Sequence, residues 1–493
     1  MTRNTASDEP APLPESPAPS VIGRLATRAV WALFGLSLVV LAFSVVRDSR
    51  WALAGVVAVD GLTAVMWVVV TFFGGVVHSY ARRYVAGEPR EDAFFAKTFA
   101  FTLAVMVLVA ADHVALFAAA WLAMGLVMAS LVGHVEGWPQ ARAAARTARR
   151  HFLASSALLT VGLAALAAAT GQTGIQAILA RVGDLPQSVA LLAAGALLLA
   201  AVVQSALFPF QRWLFSSMTA PTPASALMHA GFVNAGGVLL TRFAPLFVDR
   251  APVMAVVAVV GAASALLGQA TIQVQTDVKR ELAASTTAQM GFMILQCGLG
   301  FFAAAITHLI LHGFYKAYLF LSSGAGVERA APSPPSDDGF SPVRAVVSLA
   351  TALAGGALFA VLTGKGTALD SGLVLVVVVV LTTLHATRDV LGKPTLRPGL
   401  RIVGAPLVVV AAVGGYAVLF EAISAVMADV PATSVHLALT PVHVVVAGAF
   451  ALAYLAAEFD LHRASGRLYV TLLNLAQPDP TTVLTSTEEY DDA

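Results

Sequence analysis

The stretch THLILHGFYKAYLF, residues 307–320, lies inside a long apolar run and carries three basic side chains. His308, His312 and Lys316 follow one another at intervals of four residues. In a helix, residues four apart lie on the same face, so this spacing predicts a basic row along one side of a helix. A lysine near the middle of a bilayer costs roughly 3 kcal/mol to insert, so the row indicates a function rather than simple packing.

The composition indicates that this helix lies in a membrane. Of the 493 residues 58% are hydrophobic and only 12% are charged, and the mean hydropathy is +0.81. Soluble domains typically carry about 25% charged residues, so these values predict an all-α polytopic membrane protein. The one cysteine, Cys297, excludes an intrachain disulfide and a cysteine-based metal cluster, and no cofactor is expected.

Apolar windows of about 20 residues, the length that crosses a bilayer as a helix, recur along the whole chain and predict about 13–14 transmembrane helices. The sixth window, VALLAAGALLLAAVVQSALFPFQRWLF, is interrupted at Pro209. Proline removes a backbone hydrogen bond, so we predict a discontinuous helix near Pro209, which membranes tolerate where it lines a cavity. The windows lie near residues 26–46, 53–77, 96–111, 114–133, 152–170, 188–207, 223–241, 252–272, 284–299, 301–322, 343–362, 371–387, 402–420 and 438–457.

Charge and composition divide the chain into five parts. Loops after the even-numbered helices hold most of the lysines and arginines, including the basic loops 142–150 and 388–401, so the positive-inside rule predicts that both termini are cytoplasmic. The N-terminal residues do not resemble a signal peptide. The predicted parts are a disordered cytoplasmic tail (1–23), a transmembrane core (24–327), a cytoplasmic linker (328–342), a C-terminal four-helix transmembrane portion (343–466) and a polar, acidic cytoplasmic tail (467–493).

Polar residues inside apolar runs are the candidates for function, because they are costly in a membrane. The first group lies in residues 208–237, where Pro209, Pro221 and Pro223 are predicted helix breaks and His229 follows in the next apolar run. Histidine titrates near neutral pH, so His229 is a candidate for a proton pathway. A packing kink with a hydrogen-bonded core histidine fits these residues equally well.

The second group is TDVKRELAASTTAQMGFM, residues 276–293. Its charged residues fit a pathway, but the simpler interpretation is a helix cap at Asp277 with topogenic charge at Lys279 and Arg280. The small and polar residues that follow predict close packing against another helix.

The third group is the basic row of residues 307–320. A step of four residues is about 6 Å of helix rise, too long for direct proton transfer but short enough for bridging water. Imidazole accepts a proton on one nitrogen and releases one from the other, so we interpret the row as a proton or cation relay. The chain has no GxxxxGK[ST], HExxH or GxSxG motif, so nucleotide, zinc-protease and serine-hydrolase chemistry are not indicated.

Together these groups resemble the antiporter-like proton-translocating subunits of respiratory NADH:quinone oxidoreductase and of multisubunit Na+/H+ antiporters. The resemblance implies an antiporter-like fold for the core. It also implies pathway roles for five residues, which are His229, Lys279, His308, His312 and Lys316. The matching stretches are VDGLTAVMWVVVTFFGGVVHSYARRY (59–84), FPFQRWL with APTPASALMHAG (208–231), DVKRELAASTTAQMGFM (277–293) and HLILHGFYKAYLFL (308–321).

Two positions depart from this family's pattern. Its respiratory members carry a Trp-Glu pair on an early span, where this chain reads Trp121-Leu122, and a lysine in a KSAQFPF run, where this chain has Gln204. The family uses that glutamate and lysine as a charge pair. Losing one alone would leave an uncompensated buried charge, whereas losing both leaves neutral packing. The sequence therefore predicts that the usual charge-pair switch is absent while the relay is retained.

Two further stretches resemble those of the DabB family, whose members are membrane subunits of energy-coupled inorganic carbon pumps. These stretches are residues 229–247 and 467–483. The short sequence after the last predicted span agrees, because respiratory relatives continue into a lateral helix. The resemblance implies a DabA-type partner, a large zinc subunit with a carbonic-anhydrase-like site. Flow of H+ or Na+ through this chain would then drive conversion of CO2 to bicarbonate in the partner, and the chain itself is expected to be a transporter subunit and not an enzyme.

Two alternatives stay open on the sequence. One is a proton-translocating subunit of a respiratory NADH:quinone oxidoreductase or of a cation/proton antiporter complex, which needs the same relay but other partners. The other is a non-conducting membrane anchor, which the absence of the charge pair at Leu122 and Gln204 favours.

Overall fold

The structure is a computed structural model, and it describes residues 20–47, 51–53, 55–323, 342–392, 400–433, 435–459, 461 and 465–483. Several predicted segments therefore lie outside the described residues. These are residues 1–19 of the N-terminal tail, residues 328–341 of the linker and residues 484–493 of the C-terminal tail.

The described chain is a bundle of long helices joined mostly by short loops. The helices are α1 (Val21–Arg47), α2 (Gly61–Tyr84), α3 (Glu91–Ala110), α4 (Val114–Val132), α5 (Pro139–Thr170), α6 (Ile175–Leu179), α7 (Gln187–Gln204), α8 (Arg212–Ser216), α9 (Thr222–Ala230), α10 (Ala235–Arg242), α11 (Ala244–Val248), α12 (Ala251–Ile272), α13 (Val278–Gly298), α14 (Phe302–Ser322), α15 (Pro342–Thr363), α16 (Gly372–Gly392), α17 (Ala405–Val426), α18 (Pro441–Glu458) and α19 (Gly466–Leu475).

Within the described residues, 12 helical segments are long and apolar enough to cross a membrane, with α9 and α10 counted as one segment. Helices α13 and α14 have 21 residues each and pack in the same bundle, but their polar side chains make them less apolar than the others. With these two helices the bundle has the predicted 13–14 spans. The prediction of an all-α polytopic membrane protein is confirmed.

The first part of the predicted window 53–77 is not helical. Residues Trp51–Leu53 and Val57–Val59 form a short antiparallel hairpin, and Gly55 in its turn has a φ of +67°, which glycine adopts without strain. Helix α2 begins only after Asp60, whose carboxylate accepts a hydrogen bond of 2.9 Å from the backbone N–H of Thr63. The capping aspartate therefore sets where the helix starts.

The basic segment 142–150, predicted as a loop, is the first part of helix α5. Pro139 stands in the first turn of this helix, where its missing N–H has no intrahelical partner to lose. The alanine-rich sequence that follows has high helix propensity, and the apolar window that predicted 152–170 shows only the later half of the helix.

The chain is interrupted in two places around the predicted break. Helix α7 ends at Gln204, before the cis peptide bond that precedes Pro209, and the short helix α8 follows. A turn of 3-10 helix at Phe232–Asn234 separates α9 from α10. Pro221 and Pro223 lie at the start of α9, where proline is favoured, so they mark a helix boundary and not a break inside a helix.

Helices α12 and α13 pack with their backbones in close approach. A Cβ atom on Gly261, Gly291 or Gly298 would lie 2.3 Å from a backbone nitrogen of the facing helix, so no larger residue fits at these positions. This agrees with the close packing predicted from the small residues of segment 276–293, and it holds α13 in a fixed position beside α14.

The four C-terminal helices α15–α18 pack on the core through an apolar cluster that includes Leu299, Phe359 and Phe420. After α18 the chain returns along the core as α19 and a short 3-10 turn. The Gln211 side chain donates to the Leu475 carbonyl over 3.0 Å, and the Asp479 N–H donates to the Ser216 hydroxyl over 2.9 Å. The described part of the predicted C-terminal tail is therefore packed against α8.

Candidate functional site

The basic row on α14 faces the interior of the bundle. Lys316 is fully buried, and its Nζ donates to the Leu282 carbonyl over 3.0 Å and to the Ser285 hydroxyl over 2.8 Å, both on α13. Both partners are uncharged, while Glu281, in the first turn of α13, lies within electrostatic range. A buried lysine held by neutral acceptors can change its protonation state without breaking a direct ion pair.

Two histidines continue the row along α14. The rings of His308 and His312 are nearly parallel, with centroids 6.1 Å apart, and the His308 ring meets Phe292 edge to face. Three ring nitrogens have no hydrogen-bond partner among the described residues: both nitrogens of His312 and Nε2 of His308. None of these nitrogens is therefore committed to a protein hydrogen bond in the described residues, as a relay requires.

His229 on α9 joins the row from another helix. Its Nδ1 lies 2.9 Å from the Thr286 hydroxyl, and that hydroxyl donates to the Leu282 carbonyl over 2.8 Å. The single hydroxyl proton of Thr286 is thereby used, so Nδ1 of His229 must be the donor in their contact. Its Nε2 then carries a free lone pair, has no partner among the described residues and is the atom that can accept a proton.

Helix α13 connects these groups. The Leu282 carbonyl accepts from Lys316 directly and from Thr286, which in turn binds His229. The His229 ring also stacks on Phe320, with centroids 4.4 Å apart. The structure therefore brings His229 and the α14 row together at one surface of α13.

Lys279 lies apart from the row, in the first turn of α13. It is half-buried, and its Nζ donates to the Met218 carbonyl over 3.2 Å. It lies within electrostatic range of His229. Asp277 caps the helix by accepting from the Arg280 N–H over 2.9 Å, as the simpler interpretation of this segment predicts.

A neutral hydrogen-bond chain lies where the family has its charge pair. Trp121 donates to the Ser155 hydroxyl over 3.1 Å, and Ser155 donates to the Ala200 carbonyl over 2.9 Å, which connects α4, α5 and α7. Leu122 is half-buried. Gln204 is fully buried, and neither polar atom of its amide has a partner among the described residues. This position is therefore uncharged but polar.

One buried ion pair was not found from the sequence. Arg242, at the end of α10, binds Asp60 before α2 and also donates to the Thr63 hydroxyl over 3.0 Å and to the Val109 carbonyl over 2.9 Å. Burial alone would raise the pKa of Asp60, but the charge and hydrogen bonds of Arg242 and the bonds from Thr63 outweigh it and lower the pKa. The available signal is a single arginine at the end of an apolar run, where charge ordinarily indicates a loop.

A second buried cation lies near the opposite end of α14 from Lys316. Lys365 is 2% exposed, and its Nζ is 3.3 Å from the ring centroid of Phe420 and 5.1 Å from that of Phe301. Burial lowers its pKa to about 8, against the charges of Glu421 and Asp370. The sequence placed this lysine in a loop, and nothing in the local pattern shows that the loop is buried.

These features define a class of protein, a multi-pass membrane protein with titratable side chains buried between its helices. The pattern of the NADH:quinone oxidoreductase/Mrp antiporter transmembrane family matches residues 111–355, and that of the N-terminus of chain 5 of NADH-ubiquinone oxidoreductase (complex I) matches residues 53–95. The chain belongs to this family of antiporter-like membrane subunits.

Curated relatives fall into two groups. The "Probable inorganic carbon transporter subunit DabB1" of Halothiobacillus neapolitanus is 37% identical over 283 residues, which is 56% of this chain and 50% of that protein. The NADH-quinone oxidoreductase subunit L of Escherichia coli is 38% identical over 271 residues, which is 54% of this chain and 44% of that protein. The aligned parts thus span about half the length of these relatives.

The fold is similar to a chain in the structure of the Mrp complex from a Dietzia species. The TM-score is 0.54 at 23% identity, and the match covers 96% of this chain and 54% of the other. This likeness supports the antiporter-like fold of the described bundle.

Proposed function

We propose that this chain is an ion-conducting subunit, for H+ or Na+, that energises inorganic carbon uptake by a DabA-type zinc partner. The observation that carries the proposal is the fully buried Lys316, held by neutral partners on α13 and followed along α14 by histidines with unpartnered nitrogens. Such groups are costly in a membrane and serve as ion or proton pathways.

The geometry supports a stepwise relay. Nε2 of His229 accepts a proton, and the row on α14 carries charge between Lys316 and His308. The ring centroids of His308 and His312 are 6.1 Å apart, so transfer between them needs a bridging water and not direct contact. Lys279, at the start of α13, acts on His229 through its charge and is proposed to tune the entry of the relay.

The proposal of a carbon-uptake partner is supported by the likeness to DabB1 and by the stretches 229–247 and 467–483. In this proposal both termini are cytoplasmic and the zinc chemistry that converts CO2 to bicarbonate belongs to the partner. The likeness to subunit L at a similar identity supports the second candidate, a proton-translocating subunit of a respiratory or antiporter complex.

The test is growth in air of cells that lack carbonic anhydrase and co-express this chain with the DabA-type partner. Lys316→Met should lower inorganic carbon uptake by at least about a hundredfold, because it removes the titratable group and keeps most of the side-chain volume. His312→Ala should act in the same direction. Lys97→Met is the matched control, since Lys97 is a half-buried lysine on α3 outside the row, bound to the Ser130 carbonyl over 3.2 Å.

The outcomes separate the candidates. Full growth with the partner alone would contradict the coupling, and activity retained in Lys316→Met at normal membrane levels would make Lys316 structural and favour the non-conducting anchor. Proton pumping linked to NADH oxidation, without any effect on carbon uptake, would favour the respiratory alternative.

A further inference from the structure

An open pocket of about 710 Å³ lies at the C-terminal end of α2. It is lined by Ser79, Tyr80, Arg82, Arg83 and Tyr84, none of which belongs to the basic row. Arg82 and Arg83 are exposed, and neither forms an ion pair within the described part of the chain. Two adjacent guanidinium groups without a carboxylate partner are suited to an anion, because each can donate paired hydrogen bonds to a phosphate or carboxylate.

The hydroxyl of Ser79 gives the pocket a further hydrogen-bond donor. Its oxygen accepts a bond of 3.0 Å from the indole Nε1 of Trp31 on α1. The Thr71 hydroxyl, on the same helix, donates to the Trp67 carbonyl over 2.6 Å, whereas the Ser79 hydroxyl proton has no acceptor among the described residues. That proton is therefore available to a ligand in the pocket.

Helix α1 adds positive charge at the same end of α2. Trp31 binds Ser79, and Phe34, three residues later on α1, packs on Phe72, seven residues earlier on α2, with ring centroids 5.7 Å apart. The two helices are therefore antiparallel. Arg28 precedes Trp31 by three residues, about 4.5 Å of helix rise toward the end of α2 that carries the pocket. It is exposed and has no ion pair with a described residue.

The carboxylates of the loop after α2 leave this charge uncompensated. The Glu91 side chain accepts a hydrogen bond of 3.1 Å from the Gly87 N–H, and Asp92 binds the hydroxyl of Ser20. Glu88 is exposed and has no ion pair in the described part of the chain. The pocket therefore keeps a positive charge that an anion can neutralise.

A row of apolar rings extends from the pocket along the helices. Phe72 lies two turns before Ser79 on the same face of α2, about 10 Å away in helix rise. Its ring centroid is 6.3 Å from that of Trp31 and 5.3 Å from that of Phe314 on α14. The Trp31 and Phe314 side chains are 36% and 49% exposed, so these rings are accessible from outside the bundle. A polar pocket at a helix end with apolar rings behind it matches the headgroup and acyl chains of a phospholipid.

We propose that this pocket binds an anionic phospholipid, with its phosphate at Arg82, Arg83 and Ser79. One acyl chain then lies on the rings of Trp31 and Phe72. Most side chains of α1 are exposed, so the helix lies at the edge of the bundle, where lipid reaches the pocket directly. Basic clusters at the end of a membrane helix attract anionic headgroups. The proposal depends neither on the relay nor on the carbon-uptake partner.

The test is native mass spectrometry of the purified full-length chain in detergent, titrated with phosphatidylglycerol or phosphatidylcholine. One phosphatidylglycerol should bind at least about tenfold more tightly than phosphatidylcholine, and Arg82→Gln with Arg83→Gln should weaken it at least about tenfold. Arg149→Gln with Arg150→Gln is the matched control, since these adjacent arginines on α5 are exposed and have no ion pair in the described residues. It removes the same charge away from the pocket and should change the affinity by less than about twofold.

A second pair of substitutions separates the pocket from topogenic charge. Arg82→Lys with Arg83→Lys keeps the charge that orients the helix, so the protein should accumulate even if the glutamine variant does not. It should still weaken phosphatidylglycerol binding at least about threefold, because lysine cannot bind a phosphate through two parallel hydrogen bonds. Glycerol 3-phosphate, which has no acyl chains, should bind at least about a hundredfold more weakly than phosphatidylglycerol.

Equal affinities for the two phospholipids, or equal effects of the two arginine-to-glutamine pairs, overturn the proposal. Equal binding of glycerol 3-phosphate and phosphatidylglycerol would make the pocket a site for a soluble anion and overturn the lipid assignment. Weak lipid binding, with carbon uptake lost only when Arg82 and Arg83 are replaced, would assign these arginines to an acidic partner surface and would also overturn it.

Discussion

Replacing Arg242 by methionine should destabilise the protein by about 3–5 kcal/mol, the usual cost of removing one partner from a buried ion pair. Arg242 and Asp60 are 9% and 5% exposed, so water cannot replace the lost partner. The substitution also removes the donors to the Thr63 hydroxyl and the Val109 carbonyl. The Asp60 carboxylate would keep only its bonds from Thr63.

A double-mutant cycle isolates the contribution of the pair. Asp60→Asn keeps a capping side chain for α2 but leaves the guanidinium unpaired, so it should also be destabilising. The double variant Asp60→Asn with Arg242→Met has no buried charge and should lose only about 0–1 kcal/mol relative to the wild type. The coupling energy, which is the sum of the two single losses minus the loss of the double variant, should therefore be at least about 3 kcal/mol.

The assay is reversible unfolding of the purified chain in mixed detergent micelles, followed by tryptophan fluorescence. Arg250→Met is the control, because Arg250 donates only to the backbone carbonyls of Leu246 and Val182, over 2.7 and 3.2 Å, and should cost about 1 kcal/mol. A loss below about 1 kcal/mol in Arg242→Met, or strictly additive effects of the two substitutions, would refute the reasoning.

The same variant has a predicted pH dependence. In the wild type the lowered pKa of Asp60 keeps the carboxylate ionised, and the stability that it contributes is lost only as the pH falls below its ordinary value of 3.8. Without Arg242, burial is the dominant influence and raises the pKa. The deficit of Arg242→Met should therefore shrink as the pH falls toward the raised pKa, because protonation removes the unpaired charge.

Two further predictions concern other buried positions. Burial lowers the pKa of Lys365 from 10.5 to about 8, so below pH 8 the folded protein bears the full cost of an unfavourably buried charge. Between pH 8 and pH 10.5 the unfolded chain holds more protons than the folded one, so the stability of the folded protein rises with pH over that range. Lys365→Met should therefore be more stable than the wild type by roughly 2–3 kcal/mol at pH 7, and a difference that does not shrink toward pH 10.5 would contradict the assignment. Gly291→Leu should prevent accumulation in the membrane, because a Cβ there would lie 2.3 Å from the Ala265 nitrogen. The control is Gly195→Leu, since nothing lies within 4 Å of a Cβ at Gly195. Equal levels of the two variants on an immunoblot would refute the close packing of α12 and α13.

The helix boundaries show where sequence patterns are informative. Apolar windows located the spans because a membrane helix must present apolar side chains to lipid along its length. They missed the start of α5, where arginines interrupt an alanine-rich helix, and they included residues 53–59, which belong to a hairpin. In both cases the hydropathy of a segment does not report whether it is helical. An apolar window identifies a helix only where the segment crosses the bilayer.

The charged residues show the same limit more sharply. Lys365 and Arg242 stand near the ends of apolar runs, where charge ordinarily indicates a loop, and both are buried in the structure. Their partners lie far away in the chain, and Arg242 and Asp60 are 182 positions apart. No local pattern encodes a contact of that kind.

By itself the sequence determined the membrane class, the approximate spans and the basic row on α14, because these follow from hydropathy and from the helical repeat of nearby residues. Tertiary structure alone decided that Lys316 and His229 meet on α13 and which nitrogen of His229 is free. It also decided that Gln204 is buried without a partner in the described part of the chain. These facts depend on which helices pack together, and helix packing is set by contacts between residues distant in the chain.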